Sequence, residues 1–187
     1  MERIDPRRLL VKIVDVLNRL DIPYFITGGI AVLIWGRPRF TADIDIIIQL
    51  ESAKAKDLER TLKSLSQTGY VDKDAISEAL LRQGEFNFID GETGIKVDFW
   101  IFRKRDPFSQ AEFRRKIVKD VLGKKIYFVS PEDLILSKLL WYKKSQSTRH
   151  LEDVESVLKI SKVDKKYLKN WAGKLDVAEI WARIQKK

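Results

Sequence analysis

The chain has 187 residues, 44% of them hydrophobic and 10% aromatic, which is enough to bury a domain-sized core and excludes an ordinary disordered chain. Cysteine is absent and histidine occurs once, which excludes disulfides, thiolate metal sites, a cysteine nucleophile and multi-histidine metal motifs. Thirty-six basic residues against 27 acidic give a net charge of +9, a balance that suits a nucleic acid or nucleotide partner but is shared by many plain basic proteins.

The charged start Met1-Glu2-Arg3-Ile4-Asp5 has no leader character. The longest uncharged stretch, Ile22 to Gly36, is shorter than the ~18–20 residues of a membrane span and contains Pro23, Gly28 and Gly29. The expectation is a cytoplasmic protein without a membrane segment.

In chain order, Leu9, Leu10, Ile13, Val14, Val16, Leu17 and Leu20 recur at roughly helical spacing behind Asp5-Pro6, which predicts a helix over 6–20. A short strand is expected at Tyr24 to Thr27, then a buried helix from Ile30 to Trp35, ended near Gly36-Arg37-Pro38. Ala42 to Leu50 is β-branched and apolar apart from two aspartates, and reads as a strand. Helices are expected over 52–66 and 74–83, a hairpin from Glu85–Ile89 and Ile95–Phe102 around Asp90 to Gly94, a helix over 108–114, and a last strand from Lys125 to Val129. Ser130-Pro131-Glu132-Asp133 is a strong helix start, and helices follow to about 144, then near 148–159, 164–174 and 176–185. No repeat or linker interrupts the chain. The expected layout is an α+β fold, with residues 1–129 as the α/β core and 130–187 as a helical C-terminal part packed on it.

The chemistry concentrates in Thr41-Ala42-Asp43-Ile44-Asp45-Ile46-Ile47-Ile48. Residues two apart on a strand share a face, so Asp43 and Asp45 project together while Ile44, Ile46 and Ile48 face the other way. Two like charges on an apolar strand repel and resist desolvation unless a cation intervenes, and a hard, oxygen-liganded ion such as Mg²⁺ answers that need; a solvated strand end is the plain alternative. Asp98 stands likewise in Gly94-Ile95-Lys96-Val97-Asp98-Phe99-Trp100-Ile101, on the face of Lys96 and Trp100. It completes a carboxylate cluster if the two strands are neighbours, or forms an ion pair with Lys96 or an arginine. Gly28-Gly29 lies between a strand and a helix, where glycines allow a phosphate to approach backbone and a helix start favours an anion; a tight turn alone uses the same residues.

The order Gly28-Gly29, Asp43-Ile44-Asp45 and a later strand acid, Asp98, resembles the nucleotidyltransferase superfamily with the polymerase-beta-type fold. The stretch Gly28 to Asp45 is similar to a small prokaryotic branch related to abortive-infection toxin nucleotidyltransferases. So are Ser130 to Leu139, Arg149-His150-Leu151-Glu152-Asp153-Val154, and Tyr167-Leu168 with Trp171-Ala172. The related motif usually carries an acid where this chain has His150. The resemblance implies a mixed sheet flanked by helices, and transfer of a nucleoside monophosphate from an NTP to an acceptor hydroxyl. Asp43, Asp45 and Asp98 would be catalytic and hold two Mg²⁺ ions. Gly28 and Gly29 would hold phosphates. Arg39 is a further phosphate candidate because a guanidinium suits phosphate oxygens, or else a surface arginine. Thr41 would position the strand or bond a phosphate. Lys138 and Asp153 match a lysine and aspartate that support activity in relatives, or pair as ions between helices.

Phe102 to Lys125 contains nine basic and three acidic residues, a basic face for an RNA or tRNA acceptor or simply for solvent. Three further readings stay open: a protein acceptor or an antitoxin partner, as in toxin relatives; a non-catalytic nucleotide-binding protein of this fold; and a small-molecule (antibiotic) nucleotidyltransferase, which the basic segment disfavours.

Overall fold

Asp5 begins the first helix by accepting a hydrogen bond from the Arg7 N–H at 3.0 Å, with Pro6 at the first helical position. This computed structural model describes residues 5–186. The helix, α1 (Pro6–Arg19), buries Leu9, Leu10, Ile13, Val14, Val16 and Leu17. The elements β1 (Tyr24–Thr27), α2 (Gly28–Trp35), β2 (Asp43–Ile48) and α3 (Ser52–Leu65) follow the sequence expectation, except that the glycine pair opens α2 rather than preceding it.

Next come β3 (Tyr70–Val71), α4 (Lys73–Arg82), β4 (Glu85–Ile89), β5 (Lys96–Ile101), α5 (Pro107–Arg115), β6 (Ile117–Val121) and β7 (Lys124–Phe128). Two of these strands lie outside the sequence expectation. β3 has two residues, too few for a visible alternation. β6 carries Lys119 and Asp120 and turns at Leu122-Gly123, where both residues take positive φ (52° and 78°), the conformation of a tight hairpin turn.

The sheet is mixed, in the order β3-β4-β5-β2-β1-β7-β6. β2 runs antiparallel to β1 and parallel to β5, and β1 pairs in parallel with β7. Ile44, Ile46 and Ile48 of β2, Val97 and Phe99 of β5, and Phe86 and Phe88 of β4 are all buried on one face. Each fully buried side chain of this kind contributes roughly 1.5–3 kcal/mol relative to exposure. The other face of these strands stays open to differing degrees. Asp43, Asp45 and Ile47, with Lys96, Asp98 and Trp100, are half-buried, and Glu85, Asn87 and Ile89 are exposed.

The chain divides into two compact units. One runs through Ile30 and resumes over Phe40–Phe128; the other takes Ala31–Arg39 and everything from Val129 onward. The second unit contains α6 (Pro131–Ser145), α7 (Thr148–Ile160), α8 (Lys165–Lys174) and α9 (Ala178–Gln185); α6 packs against both α7 and α8, and α8 against α9. Ser130 caps α6, accepting from the Asp133 N–H at 3.1 Å while its hydroxyl donates to the Asp133 carboxylate at 2.7 Å. The Tyr167 hydroxyl donates to the same carboxylate at 2.7 Å, so a fully buried acid is satisfied.

Residues 31–39 belong to this unit for specific reasons. The Trp35 indole N–H donates to the Val129 carbonyl (2.9 Å), the Ser161 hydroxyl to the Trp35 carbonyl (2.6 Å), and the Arg37 N–H to Ser156 Oγ (2.5 Å). Among the described residues no helix is long and apolar enough to cross a membrane.

Candidate active site

β2 and β5 pair in parallel with Asp43 opposite Lys96 and Asp45 opposite Asp98. The two strands are separated in sequence by α3, β3, α4 and β4, and the sheet brings them side by side. Asp43, Asp45 and Asp98 therefore share the open face, and Asn87 of β4 lies next to Asp98 in register. Asn87 was not singled out from sequence; its signal was the exposed-buried alternation of Glu85–Ile89.

The Lys96 ammonium lies 2.7 Å from Asp98 Oδ2. That hydrogen bond raises the Lys96 pKa above the usual lysine value, and the charges of Asp98, Asp43 and Asp45 act in the same direction against partial burial. A cation is thus already drawn to the carboxylate face. Among the described residues no group of three His, Asp or Glu side chains converges as a ready metal cage. The donor set nevertheless suits a hard divalent ion: Asp43 and Asp45 offer carboxylates two residues apart on one strand face, and Asp98 offers a third, paired with its lysine.

The glycine pair is fitted to this face. A Cβ built on Gly28 would lie 1.8 Å from Asp45 Oδ2, and one on Gly29 would lie 2.2 Å from Thr41 Oγ1. Gly28 also has φ +62°, a left-handed conformation that side chains resist. The Asp45 carboxylate therefore packs on the first turn of α2, where the helix dipole favours negative charge. Thr41 packs on Gly29 and donates to the Asp43 carbonyl at 3.3 Å, so it holds the start of β2.

We expect Gly28→Ala to destabilise the protein by about 2–3 kcal/mol, from left-handed strain plus overpacking. In a thermal melt that is a fall of roughly 5–10 °C. Asp45→Ala removes two of the three clashing atoms. The double variant should therefore lose less than the sum of the singles by more than about 0.5 kcal/mol, and strict additivity would refute the contact.

Arg39 and Lys138 belong to the second unit, where both meet Asp153. Arg39 forms a bidentate pair with it (Nε–Oδ1 2.6 Å, Nη2–Oδ2 2.8 Å), and Lys138 Nζ lies 2.9 Å from Oδ2. Burial of Asp153 disfavours its charge, but the hydrogen bonds from Arg39 and Lys138 outweigh that and hold its pKa below the usual carboxylate value. His150 stacks near Trp141, with ring centroids 6.4 Å apart, and its buried Nδ1 has no hydrogen-bond partner. Burial, then the Lys138 charge, lowers its pKa. Both effects disfavour a proton on the single histidine beside the ion cluster.

A family model for "Nucleotidyl transferase AbiEii toxin, Type IV TA system" matches residues 8–178. An antigenic nucleotidyltransferase-like protein from Paracoccidioides brasiliensis superposes with a TM-score of 0.65 at 18% identity, over 97% of this chain and 88% of that one. A putative nucleotidyltransferase from Thermotoga maritima gives 0.55 at 24% identity, over 82% and 96%. A lincomycin-bound lincosamide antibiotic adenylyltransferase gives 0.56 at 14% identity, over 84% and 98%. At these identities the likeness is one of fold. No match was found among proteins of curated function.

Proposed function

The chain belongs to the nucleotidyl transferase AbiEii toxin family, and from that premise we propose that it moves a nucleoside monophosphate from an NTP to an acceptor hydroxyl on an RNA, tRNA or protein, in the manner of a toxin. The observation that carries the reading is the register of β2 and β5, which sets Asp43, Asp45 and Asp98 on one open face beside the start of α2.

In the proposed reaction the acceptor oxygen attacks the α-phosphorus, the bond from that phosphorus to the bridging oxygen breaks, and pyrophosphate leaves. Asp98 takes the acceptor's proton. The backbone N–H groups of Gly28 and Gly29 at the start of α2 are proposed to hold phosphate oxygens. Arg39 and Lys138, both positioned by Asp153, are proposed as further phosphate-binding cations. Mg²⁺ held by Asp43 and Asp45, joined by Asp98, would neutralise the triphosphate and acidify the attacking hydroxyl.

Thermal unfolding with each NTP, with and without Mg²⁺, tests this reading. A ligand at 100 times its dissociation constant adds about 2.7 kcal/mol, or roughly 5–10 °C for a chain of this size. The expected result is a Mg²⁺-dependent rise in the wild type that disappears in Asp43→Ala and in Asp45→Ala. An unchanged melting temperature with all four nucleotides would contradict it.

A further inference from the structure

The carboxylate face continues beyond the carboxylates. Along β2 and β5 the pairs on this face run Asp43 with Lys96, Asp45 with Asp98, then Ile47 with Trp100. The ladder extends one step past the strand ends. The Phe102 N–H donates to the Ile48 carbonyl at 2.9 Å, and the Gln49 N–H donates to the Pro23 carbonyl at 2.8 Å. Alternation therefore sets Gln49 and Phe102 on the same face, four residues beyond Asp45 and Asp98, which is about 13 Å at strand spacing.

At that point the face opens into a shallow, solvent-open pocket of about 370 Å³ lined by Gln49, Phe102, Lys104, Gln110, Phe113 and Arg114. α5 forms its wall. Phe113 packs edge-on against Phe25, with ring centroids 5.8 Å apart, and against Phe102 at 4.7 Å. Phe25 pairs with Ile47 in register, so α5 covers this end of the same face. The Gln110 amide donates to the Lys104 carbonyl at 2.6 Å, tying the 103–106 loop to the helix.

The lining has a specific chemistry: two cations, two amides, two aromatic rings and no carboxylate. Apart from Gln49 the lining falls within the basic segment, whose other basic residues include Arg103, Arg105 and Lys119. Such a pocket suits a phosphate beside a base, since cations take the phosphate while amides and rings take the base edge and face. Between it and the carboxylates stands the half-buried Trp100, flanked by Ile47. An interval of about 13 Å corresponds to roughly four stacked nucleotides at 3.4 Å each, and fewer if the strand is extended.

We propose that the cavity between α5 and the ends of β2 and β5 is an acceptor subsite. It seats an upstream nucleotide of a single-stranded nucleic acid whose terminal hydroxyl reaches Asp45 and Asp98, with the intervening chain passing over Trp100. This rests on the nucleotidyl-transfer reading above. A polypeptide acceptor would gain little from paired cations and stacking rings, so the lining favours nucleic acid over protein.

The test is fluorescence anisotropy of a short labelled single-stranded RNA of mixed sequence, titrated with full-length protein at several salt concentrations. Wild type is compared with Lys104→Ala/Arg114→Ala and with the charge-conserving Lys104→Arg/Arg114→Lys. Both side chains are exposed, so the variants should fold as the wild type does, which a thermal melt verifies. Loss of two phosphate contacts should weaken binding about tenfold and lower the slope of log affinity against log salt by about 1.4, at ~0.7 per contact for a single strand. The charge-conserving variant should bind nearly as the wild type does. Equal RNA affinity and slope in the alanine variant would overturn the subsite, and so would a wild type that binds no RNA, which would point to a protein acceptor. The Mg²⁺–NTP melting shift is measured on the same samples. If it is present in all of them while RNA binding is unaffected, the subsite fails and the transfer reading stands. If it is absent while RNA binding falls in the alanine variant, the transfer reading fails and the nucleic-acid pocket stands.

Discussion

Asp45→Asn should reduce nucleotidyl transfer by about a thousandfold or more while leaving the fold intact. Metal-held stabilisation of phosphoryl charge contributes several kcal/mol to such reactions, and about 4 kcal/mol corresponds to a thousandfold in rate. Asn keeps the shape that fills the space over Gly28 but loses the charge. Asp45 also shares its face with Asp43 and Asp98, so removing one negative charge relieves repulsion in the ligand-free protein. That relief offsets the lost attraction to the start of α2 and to Lys96, so the variant should melt close to the wild-type temperature. That combination, lost rate with kept stability, separates a functional carboxylate from a structural one. The readout is incorporation of label from an α-phosphate-labelled NTP, scored beside a thermal melt. Transfer within tenfold of wild type would rule out Asp45 as a metal-holding residue. Lost transfer with a fall of many degrees would mean that Asp45 holds the structure together instead.

The parity of Asp43, Asp45 and Asp98 was legible in the sequence because strand alternation is local: each acid interrupts an apolar run with a period of two. The pairing that brings them together was not legible. β2 and β5 are parallel neighbours joined through two helices and two strands, and nothing local encodes which strands meet. The resemblance to the nucleotidyltransferase superfamily supplied that neighbour relation as an expectation. The glycine pair was readable as a place of close approach, but not what approaches. In the structure the space over Gly28 and Gly29 is taken by Asp45 and Thr41, so the glycines fit this chain's own β2 and the residues leading into it against α2.

Other features escaped for different reasons. The β6–β7 turn is made by Leu122-Gly123, and a leucine at positive φ leaves no turn signature of the Asn-Gly kind. The 103–114 segment showed its charge but not its cavity, because the cavity needs strand ends and helix together. In the helical region α6 and α8 carry side-chain caps at Ser130 and Asp164, and all four helices lie close to the expected boundaries. That this region also takes in residues 31–39 follows from side-chain bonds to Ser156, Ser161 and Asp153, which spacing cannot reveal.

Asp153→Ala should be the most damaging single change to stability. Asp153 is 2% exposed and takes both Arg39 and Lys138 on its two oxygens. Removing it leaves two cations facing each other without their shared carboxylate, one of them, Lys138, itself 8% exposed. Breaking a buried pair from one side costs about 3–5 kcal/mol, which for a chain of this size is a melting-temperature fall of roughly 6–20 °C. Lys138→Met should cost less, because Arg39 still satisfies the acid and the apolar replacement fits a buried site. The pH dependence carries a definite sign. The folded-state pKa of Asp153 is depressed, so its stabilisation is fully present above the ordinary carboxylate value of 3.8 and is lost as pH falls through the lower folded value. The stability gap between wild type and Asp153→Ala, measured by urea unfolding, should be flat from about pH 5 to 8 and close only below about pH 4. A gap that instead closed on raising the pH through the range just below the ordinary histidine value of 6.5 would place the dependence on the neighbouring His150, whose pKa burial lowers, rather than on the carboxylate.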